Sequence, residues 1–201
     1  MQHAPNALNH QLPPPQAREP IHTRRLTFNS FAREDGLWDI EAELIDDRHY
    51  VHVAHEGNTV EPGQHIHHML VRLTVDRDLI VREVATAMAN APFGECQGAT
   101  PPLQRLVGAR IGAGWRRVIN EAMGGIRGCS HLRELAINMA TAALQAVPHH
   151  VRHREGAGPE TAGADGEPMF FMGQCLSWDF DGPLVQRVAP QFAGWRPLKK
   201  T

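Results

Sequence analysis

The chain has few of the residues and segments that would define its class at once. Its three cysteines, Cys96, Cys129 and Cys175, are widely spaced and form no CxxC pair, so the sequence predicts no disulfide framework and favours a reducing compartment. No apolar run approaches the roughly 20 residues of a membrane span, and the proline-rich N-terminus lacks the apolar segment of a signal peptide. We therefore expect a cytoplasmic protein that does not associate with membranes.

The chain also lacks an excess of charge of either sign. Its formal net charge is −2 and its pI is near 6.7, and the basic ending Lys199-Lys200 is too short to form a nucleic-acid footprint. The sequence contains no GxSxG elbow, P-loop or Rossmann fingerprint. These absences disfavour nucleic-acid binding and nucleotide chemistry. The expected partner is a small-molecule substrate, with no cofactor, and a homodimer stays open.

The N-terminal half has the pattern of a sheet. Residues 1–20 are rich in proline, glutamine and asparagine without periodicity, so we expect a disordered arm there. Alternating apolar residues then predict four strands, at residues 25–28, 37–45, 69–75 and 79–84. The segment Asp76-Arg77-Asp78 suits a tight turn between the last two strands, and such short links favour antiparallel neighbours.

The C-terminal half carries helical patterns instead. Apolar residues at helical spacing, bounded by glycine or proline, predict three helices, at residues 101–107, 115–123 and from Ser130 onward. The stretch 153–168 predicts a flexible loop, and residues 169–178 predict a final strand. Together these patterns predict a single α+β domain over residues 21–201, in which an antiparallel sheet from the N-terminal half packs against about three helices.

The stretch Gly128-Cys129-Ser130-His131-Leu132 is the strongest candidate for chemistry. A glycine-rich turn places Cys129 and His131 at the start of the third helix, where free backbone N–H groups favour an anion and lower the pKa of a nearby thiol. The alternative interpretation is an ordinary helix start, with Ser130 as the N-cap and Cys129 as a small buried residue.

Alternation along residues 37–45 predicts one apolar and one acidic face. Asp39, Glu41 and Glu43 fall on one side, opposite Trp38 and Ile40. For a sheet covered on one side, the acidic side is either a solvated face or the wall of a cavity.

A cluster of histidines, His65-Ile66-His67-His68, lies at the start of the third predicted strand. Alternation puts His65 and His67 on one face and His68 on the other. Histidines at i and i+2 serve as acid/base groups or as zinc ligands, although histidines near strand starts are common.

Five motifs occur in order along the chain: Arg33 to Asp39, Gly63 to Met69, Ala91-Pro92-Phe93 followed by Cys96, Leu106-Val107-Gly108, and Gly128 to Leu132. In this combination the chain resembles the bacterial domain-of-unknown-function family 2889, over about residues 22–147 and with Cys175. Members of this family look like accessory proteins of bacterial catabolism, some of them tied to aromatic or lignin-derived compounds. The resemblance implies that the polar motif residues share a pocket instead of lying on a solvated face.

We therefore predict a pocket that carries out cofactor-free acid/base chemistry on a small aromatic substrate. The predicted catalytic residues are His67, Asp35, Asp39 and His131. The predicted substrate-binding residues are Arg33, Trp38, Glu43, Cys129 and Ser130. In this hypothesis His67 is the general base, Asp35 or Asp39 orients it or acts as the acid, and Arg33 with the helix start holds an anionic group. The predicted activity is that of a lyase that releases an aldehyde.

Two other functions stay open at this point. The set Cys96, Cys129, Cys175 and His131 could hold zinc or iron, and His67 with His131 and a carboxylate could hold the metal of a hydrolase. In the third hypothesis the same pocket captures a small acid without catalysis.

Overall fold

The computed structural model describes residues 12–53, 57, 59–156 and 166–196. Residues 1–11 of the predicted arm and residues 157–165 of the predicted loop lie outside this part of the chain. Residues 12–20 are exposed and belong to no helix or strand. The strands are β1 (His22–Ala32), β2 (Trp38–Arg48), β3 (His52–Val53), β4 (Thr59–Val60), β5 (His65–Val75) and β6 (Val81–Asn90). The α-helices are α1 (Trp115–Met123), α2 (Ser130–Arg154) and α3 (Pro183–Val188).

Four strands form one antiparallel sheet in the order β1-β2-β5-β6. They are the four predicted strands, each with more residues than the pattern indicated. The predicted turn between β5 and β6 is confirmed, because the Asp76 carboxylate accepts the backbone N–H groups of Asp78 and Ile80 at 2.9 and 3.0 Å. The short strands β3 and β4 pair separately, between β2 and β5 in the chain.

The sheet has one buried and one open face, as the alternation in β2 predicted. Ile40 and Leu44 are fully buried, whereas Glu41 and Glu43 on the other face are partly exposed. On the open face, Glu41 forms an ion pair at 2.6 Å with Arg72 of the neighbouring β5. The acidic side of β2 is therefore mostly a charge-paired surface.

Helices cover the buried face, mainly α2. The helical spacing of apolar residues in α2 puts six side chains at 0 % exposure: Leu132, Leu135, Ala136, Met139, Ala143 and Val147. The Trp115 indole of α1 donates a hydrogen bond of 2.8 Å to the Ala136 carbonyl and so ties α1 to α2. Burial of a large apolar side chain stabilises a fold by about 1.5–3 kcal/mol. An antiparallel sheet packed against helices is the α+β class that the sequence predicted.

The contacts divide the chain into two compact units, one extending to Pro148 and one beginning at His149. The predicted single domain over residues 21–201 stays a prediction. In the second unit Met172, Val185, Ala189 and Phe192 form a small core. The final strand predicted over residues 169–178 is wrong. Gly173 adopts a φ of 73° and donates its N–H to the Trp178 carbonyl at 2.7 Å, which closes a loop instead of extending the chain.

None of the helices in the described part of the chain combines the length and the apolarity that crossing a bilayer requires.

Candidate functional site

A β-bulge shapes the end of the sheet where the histidines lie. Asp46 of β2 is paired with His67 of β5, but the next residue, Asp47, is paired with His65, so Ile66 is left without a partner in the register. The extra residue reverses the alternation. His65 therefore lies beside His68, with ring centroids 5.6 Å apart, and not on the face of His67. The prediction that His65 and His67 share a face is wrong for this reason.

Next to the bulge, a row of three polar side chains crosses three strands. Arg24 of β1, Asp46 of β2 and His67 of β5 are successive partners in the register. Asp46 is only 2 % exposed and lies on the apolar face of β2. The Arg24 guanidinium donates hydrogen bonds to both oxygens of the Asp46 carboxylate, from Nε to Oδ1 and from Nη2 to Oδ2, each at 2.8 Å. Arg24 also reaches Glu134 of α2 at 2.8 Å and so links the sheet to the helix.

The neighbours of Asp46 stabilise its ionised form. Burial by itself raises the pKa of this carboxyl, but the hydrogen bonds and positive charge of Arg24, aided by His67, outweigh burial and lower the pKa to about 2. Asp46 is therefore ionised throughout the physiological range. It is a fixed negative charge beneath the imidazoles.

Three imidazoles lie near this carboxylate. The exposed His22 of β1 has its Nε2 3.1 Å from Asp46 Oδ1, and the other two come from the cleft side. His67 Nδ1 lies 2.9 Å from Asp46 Oδ2, and His131 Nε2, from the first turn of α2, lies 3.9 Å from the same oxygen. The two rings lie against each other with centroids 4.0 Å apart. Burial lowers the pKa of His67, and the hydrogen bond that His67 donates to Asp46 offsets this only in part. His67 is therefore neutral at pH 7. We call Arg24, Asp46, His67 and His131 the Asp46 cluster.

Cys129 extends the Asp46 cluster through His131. Its Sγ lies 3.6 Å from His131 Nδ1, and the side chain is half-buried. Burial raises the pKa of this thiol, but the hydrogen bond with His131 and the backbone N–H groups of Leu132 and His131 outweigh it, so the pKa is lowered. The order along the contacts is thiol, imidazole, carboxylate.

These groups open onto a cleft of about 770 Å³. His67, Cys129, Ser130 and His131 lie on its wall together with Cys96. The remaining wall is largely apolar and comes from Met69, Pro92, Phe93, Ala99 and Ile126, with Glu95 and Arg127 as charged residues. A cleft of this size with few polar groups at one end is typical of a small-molecule site.

The predicted residues Arg33, Asp35 and Asp39 are not brought to this cleft. Arg33 pairs with Asp35 at 2.5 Å and lies 3.6 Å from Asp39, where the hairpin of β1 and β2 turns. Asp39 accepts a hydrogen bond of 2.6 Å from Thr74. Asp39 and Asp46 are seven residues apart along β2, about 23 Å at the usual rise per residue, and on opposite faces.

Three further predicted residues lie in different surroundings. Glu43 pairs with His68 at 2.8 Å on the open face of the sheet. Trp38 is 7 % exposed and belongs to the core. Ser130 lines the cleft at the start of α2. The structure thus unites His67, Cys129, Ser130 and His131, and places the other predicted residues elsewhere.

Sequence reasoning missed Arg24 and Asp46. A signal for Asp46 was present, because alternation in β2 continues the buried side of Ile40 and Leu44 onto a carboxylate at position 46. A buried carboxylate requires a partner, and a basic residue on an adjacent strand is the natural one. β1 has two arginines, Arg24 and Arg25. The register that selects Arg24 follows only from the paired strands.

The Asp46 cluster also has donor atoms suited to a metal ion. Within the described chain, Asp46, His67 and His131 form a group in which one ligand atom from each lies within 4.8 Å of the others. The Cys₃His set considered from the sequence is a different one. Of its members, Cys96 and Cys129 line the cleft, whereas Cys175 is exposed and belongs to the second unit.

Fold and site together define an α+β protein in which one buried carboxylate lies next to the two imidazoles of a cleft, His67 and His131, and His131 in turn contacts a thiol. The family described as "Protein of unknown function (DUF2889)" matches residues 22–145. The match covers more than half of the chain, and the chain belongs to this family. The resemblance is confirmed over these residues, whereas Cys175 lies outside the match. No curated protein and no solved structure matches the chain.

Proposed function

We propose that this protein is a cofactor-free acid–base lyase that acts on a small aromatic, lignin-derived catabolic intermediate and releases an aldehyde. The observation that carries the proposal is the pair His67 and His131, both on the wall of the cleft and both within 4 Å of the buried Asp46 carboxylate. Two imidazoles with one fixed carboxylate can remove a proton at one position and return it at another.

His67 is the proposed general base. The Asp46 carboxylate only accepts hydrogen bonds, so Nδ1 of His67 carries the ring proton and the lone pair is on Nε2. Burial keeps the ring neutral, since it lowers the pKa of His67. Asp46 thereby takes the orienting role that was predicted for Asp35 or Asp39. His131 is the proposed proton donor, because its ring lies on the wall of the cleft with Nε2 3.9 Å from the same carboxylate.

The walls of the cleft support an aromatic substrate. Phe93, Ile126 and Pro92 provide an apolar surface on which a ring can pack. Arg127 and the start of α2 at Ser130 provide positive ends for a phenolate or carboxylate. Arg127 here replaces Arg33 as the proposed anion contact.

The lysine content restricts the chemistry further. The chain has two lysines, Lys199 and Lys200, and neither belongs to the described residues. The described cleft therefore contains no lysine that could form a Schiff base and cleave a carbon–carbon bond in that way. A retro-aldol step in this cleft would use the imidazoles, which take the proton of the hydroxyl group as the bond breaks and the aldehyde leaves.

A metal hydrolase is the second candidate, favoured by the donor group of Asp46, His67 and His131. The Arg24 guanidinium weighs against it, because it occupies both oxygens of Asp46 at 2.8 Å and places a positive charge beside the position of the cation. Elemental analysis of protein purified without a metal-affinity tag separates the candidates. About one zinc or iron per chain would overturn the cofactor-free proposal.

The test of the proposed function is a screen of lignin-derived aromatics with aldehyde release as the readout. We expect His67→Gln to abolish turnover while the melting temperature stays within a few degrees of that of the wild type. Asp39→Asn, which changes a carboxylate on the other face of β2, is the matched control and retains turnover. Loss of turnover in Asp39→Asn but not in His67→Gln contradicts the assignment. Substrates that bind without turnover would instead indicate the binding module.

A further inference from the structure

The acid–base roles of the imidazoles leave one reactive group in the cleft unused. Cys129 lies at the start of the 25-residue helix α2, half-buried, with its sulfur 3.6 Å from His131 Nδ1. The other ring nitrogen of His131 faces Asp46 at 3.9 Å. A thiol, an imidazole and a carboxylate in this order form the arrangement that activates a cysteine as a nucleophile, because the carboxylate stabilises the imidazolium left by the thiol proton.

We propose that Cys129 is a nucleophilic thiolate, paired with His131, that adds reversibly to the carbonyl carbon of an aryl aldehyde bound in the cleft. The sulfur forms a bond to the carbonyl carbon, and the π-electron pair of the C=O bond moves onto the oxygen. That oxygen takes the proton from the His131 imidazolium, which gives a neutral hemithioacetal. No oxidant and no leaving group is needed, and reversal of the two steps returns thiolate, imidazolium and aldehyde.

The surroundings of the sulfur select this class of ligand. Phe93 and Ile126 on the wall of the same cleft suit a ring, and backbone N–H groups at the helix start stabilise the thiolate. The choice of an aldehyde rests on the proposed lyase function, whereas the nucleophilic thiolate does not. The other titratable groups around Cys129 in the described cleft are Glu95, Cys96, Arg127, His67 and His131, with Asp46 beneath them.

The chain contains its own controls for a labelling experiment. Cys96 lies on the wall of the same cleft, and Cys175 is exposed. The full-length protein is treated with limiting iodoacetamide at about pH 6.5, and mass spectrometry of its peptides gives the alkylation rate of each cysteine. We expect Cys129 to react about tenfold faster than Cys96 or Cys175, because the thiolate is the reactive species. Equal rates overturn the nucleophilic thiolate in the wild-type protein, without any variant that must fold.

A variant tests the role of His131. His131→Asn removes the imidazole while circular dichroism checks that the helix is retained. We expect the alkylation of Cys129 to slow by about tenfold near pH 6.5 and to recover as the pH rises, since the thiol then loses its proton without help. Alkylation of Cys129 at the wild-type rate in the folded variant contradicts the thiolate–imidazolium pair.

Benzaldehyde is the probe for the ligand class. We expect it to slow the alkylation of Cys129 but not that of Cys96 or Cys175, with full recovery after dilution. If benzaldehyde does not protect Cys129 from alkylation, the proposed addition to an aldehyde is wrong. If it protects Cys96 and Cys129 equally, the aromatic ring only blocks the cleft, and the addition is again contradicted. These readouts need no turnover. The protein could show the expected labelling and protection but no turnover of any aromatic compound tested. That result would contradict the proposed lyase function and leave the nucleophilic thiolate of Cys129 supported.

Discussion

The imidazole of His67, on the sheet, lies against that of His131, at the start of a helix, with ring centroids 4.0 Å apart. Two protonated imidazoles at this distance repel each other, so protonation of one ring disfavours protonation of the other. The buried Asp46 carboxylate lies next to both rings, 2.9 Å from His67 and 3.9 Å from His131. In the proposed function one ring of this pair is the base and the other is the proton donor.

Replacement of the central carboxylate is expected to destabilise the protein. Asp46 is buried and its pKa is lowered to about 2, which corresponds to about 2 kcal/mol of stabilisation of the charged form. Asp46→Asn also leaves Arg24 without its partner, so we expect a loss of about 2–4 kcal/mol in the free energy of unfolding, measured in urea. Glu41→Gln, which breaks the exposed pair with Arg72, is the control and should cost under about 1 kcal/mol. Equal effects of the two variants would show that burial of Asp46 contributes nothing.

The stability of the protein is expected to fall as the pH decreases below about 6.5. Burial lowers the pKa of His67 below its ordinary value of 6.5. Below this pH the unfolded chain therefore binds more protons than the folded one, and the free energy of unfolding decreases. A second decrease is expected between about pH 4 and pH 2, as Asp46 takes up its proton. Urea titrations at about pH 7.5, 6.5 and 5.5 measure the first decrease in the free energy of unfolding, the one assigned to His67. In His67→Gln this contribution should disappear, and an unchanged pH slope would rule out His67 as its source.

The close approach at Gly128 is expected to be essential for the position of Cys129. A Cβ at Gly128 would lie 2.6 Å from the Met123 carbonyl oxygen and 2.7 Å from Met123 Cβ. We therefore expect Gly128→Ala to cost about 1–3 kcal/mol and to slow the alkylation of Cys129. Gly98→Ala is the matched control, because Gly98 lines the same cleft and its Cβ would meet no atom within 4 Å. Wild-type stability and labelling in Gly128→Ala would contradict the steric argument.

The position of Arg33 predicts that it has no role in substrate binding. Arg33 pairs with Asp35 and Glu83 at the turn between β1 and β2. We expect Arg33→Lys to leave kcat and KM unchanged, whereas Arg127→Lys on the cleft wall should raise KM, since one ammonium group does not reproduce a bidentate contact. Steady-state kinetics of the two variants measure this. A raised KM in Arg33→Lys alone would restore the pocket predicted from the sequence.

Local patterns were sufficient for most of the fold. Alternation in β2 and helical spacing in α2 depend on which face of one element is apolar, and both were confirmed because burial of that face is the main stabilising contribution. The start of α2 at Ser130 was predicted from the glycines before it. The final strand was wrong because its apolar residues pack in a small core of their own, through turns that no periodicity indicates.

The amino-acid sequence by itself determined the α+β class, the family, and the placement of Cys129 and His131 at a helix start, since each depends on neighbouring residues in the chain. Only the tertiary structure decided which carboxylate serves the histidines. The choice of Asp46 over Asp35 or Asp39 follows from the strand register, and the reversal of His65 follows from the bulge at Ile66. Both arise from pairing between distant segments, and a shift of one residue moves every side chain to the other face of the sheet.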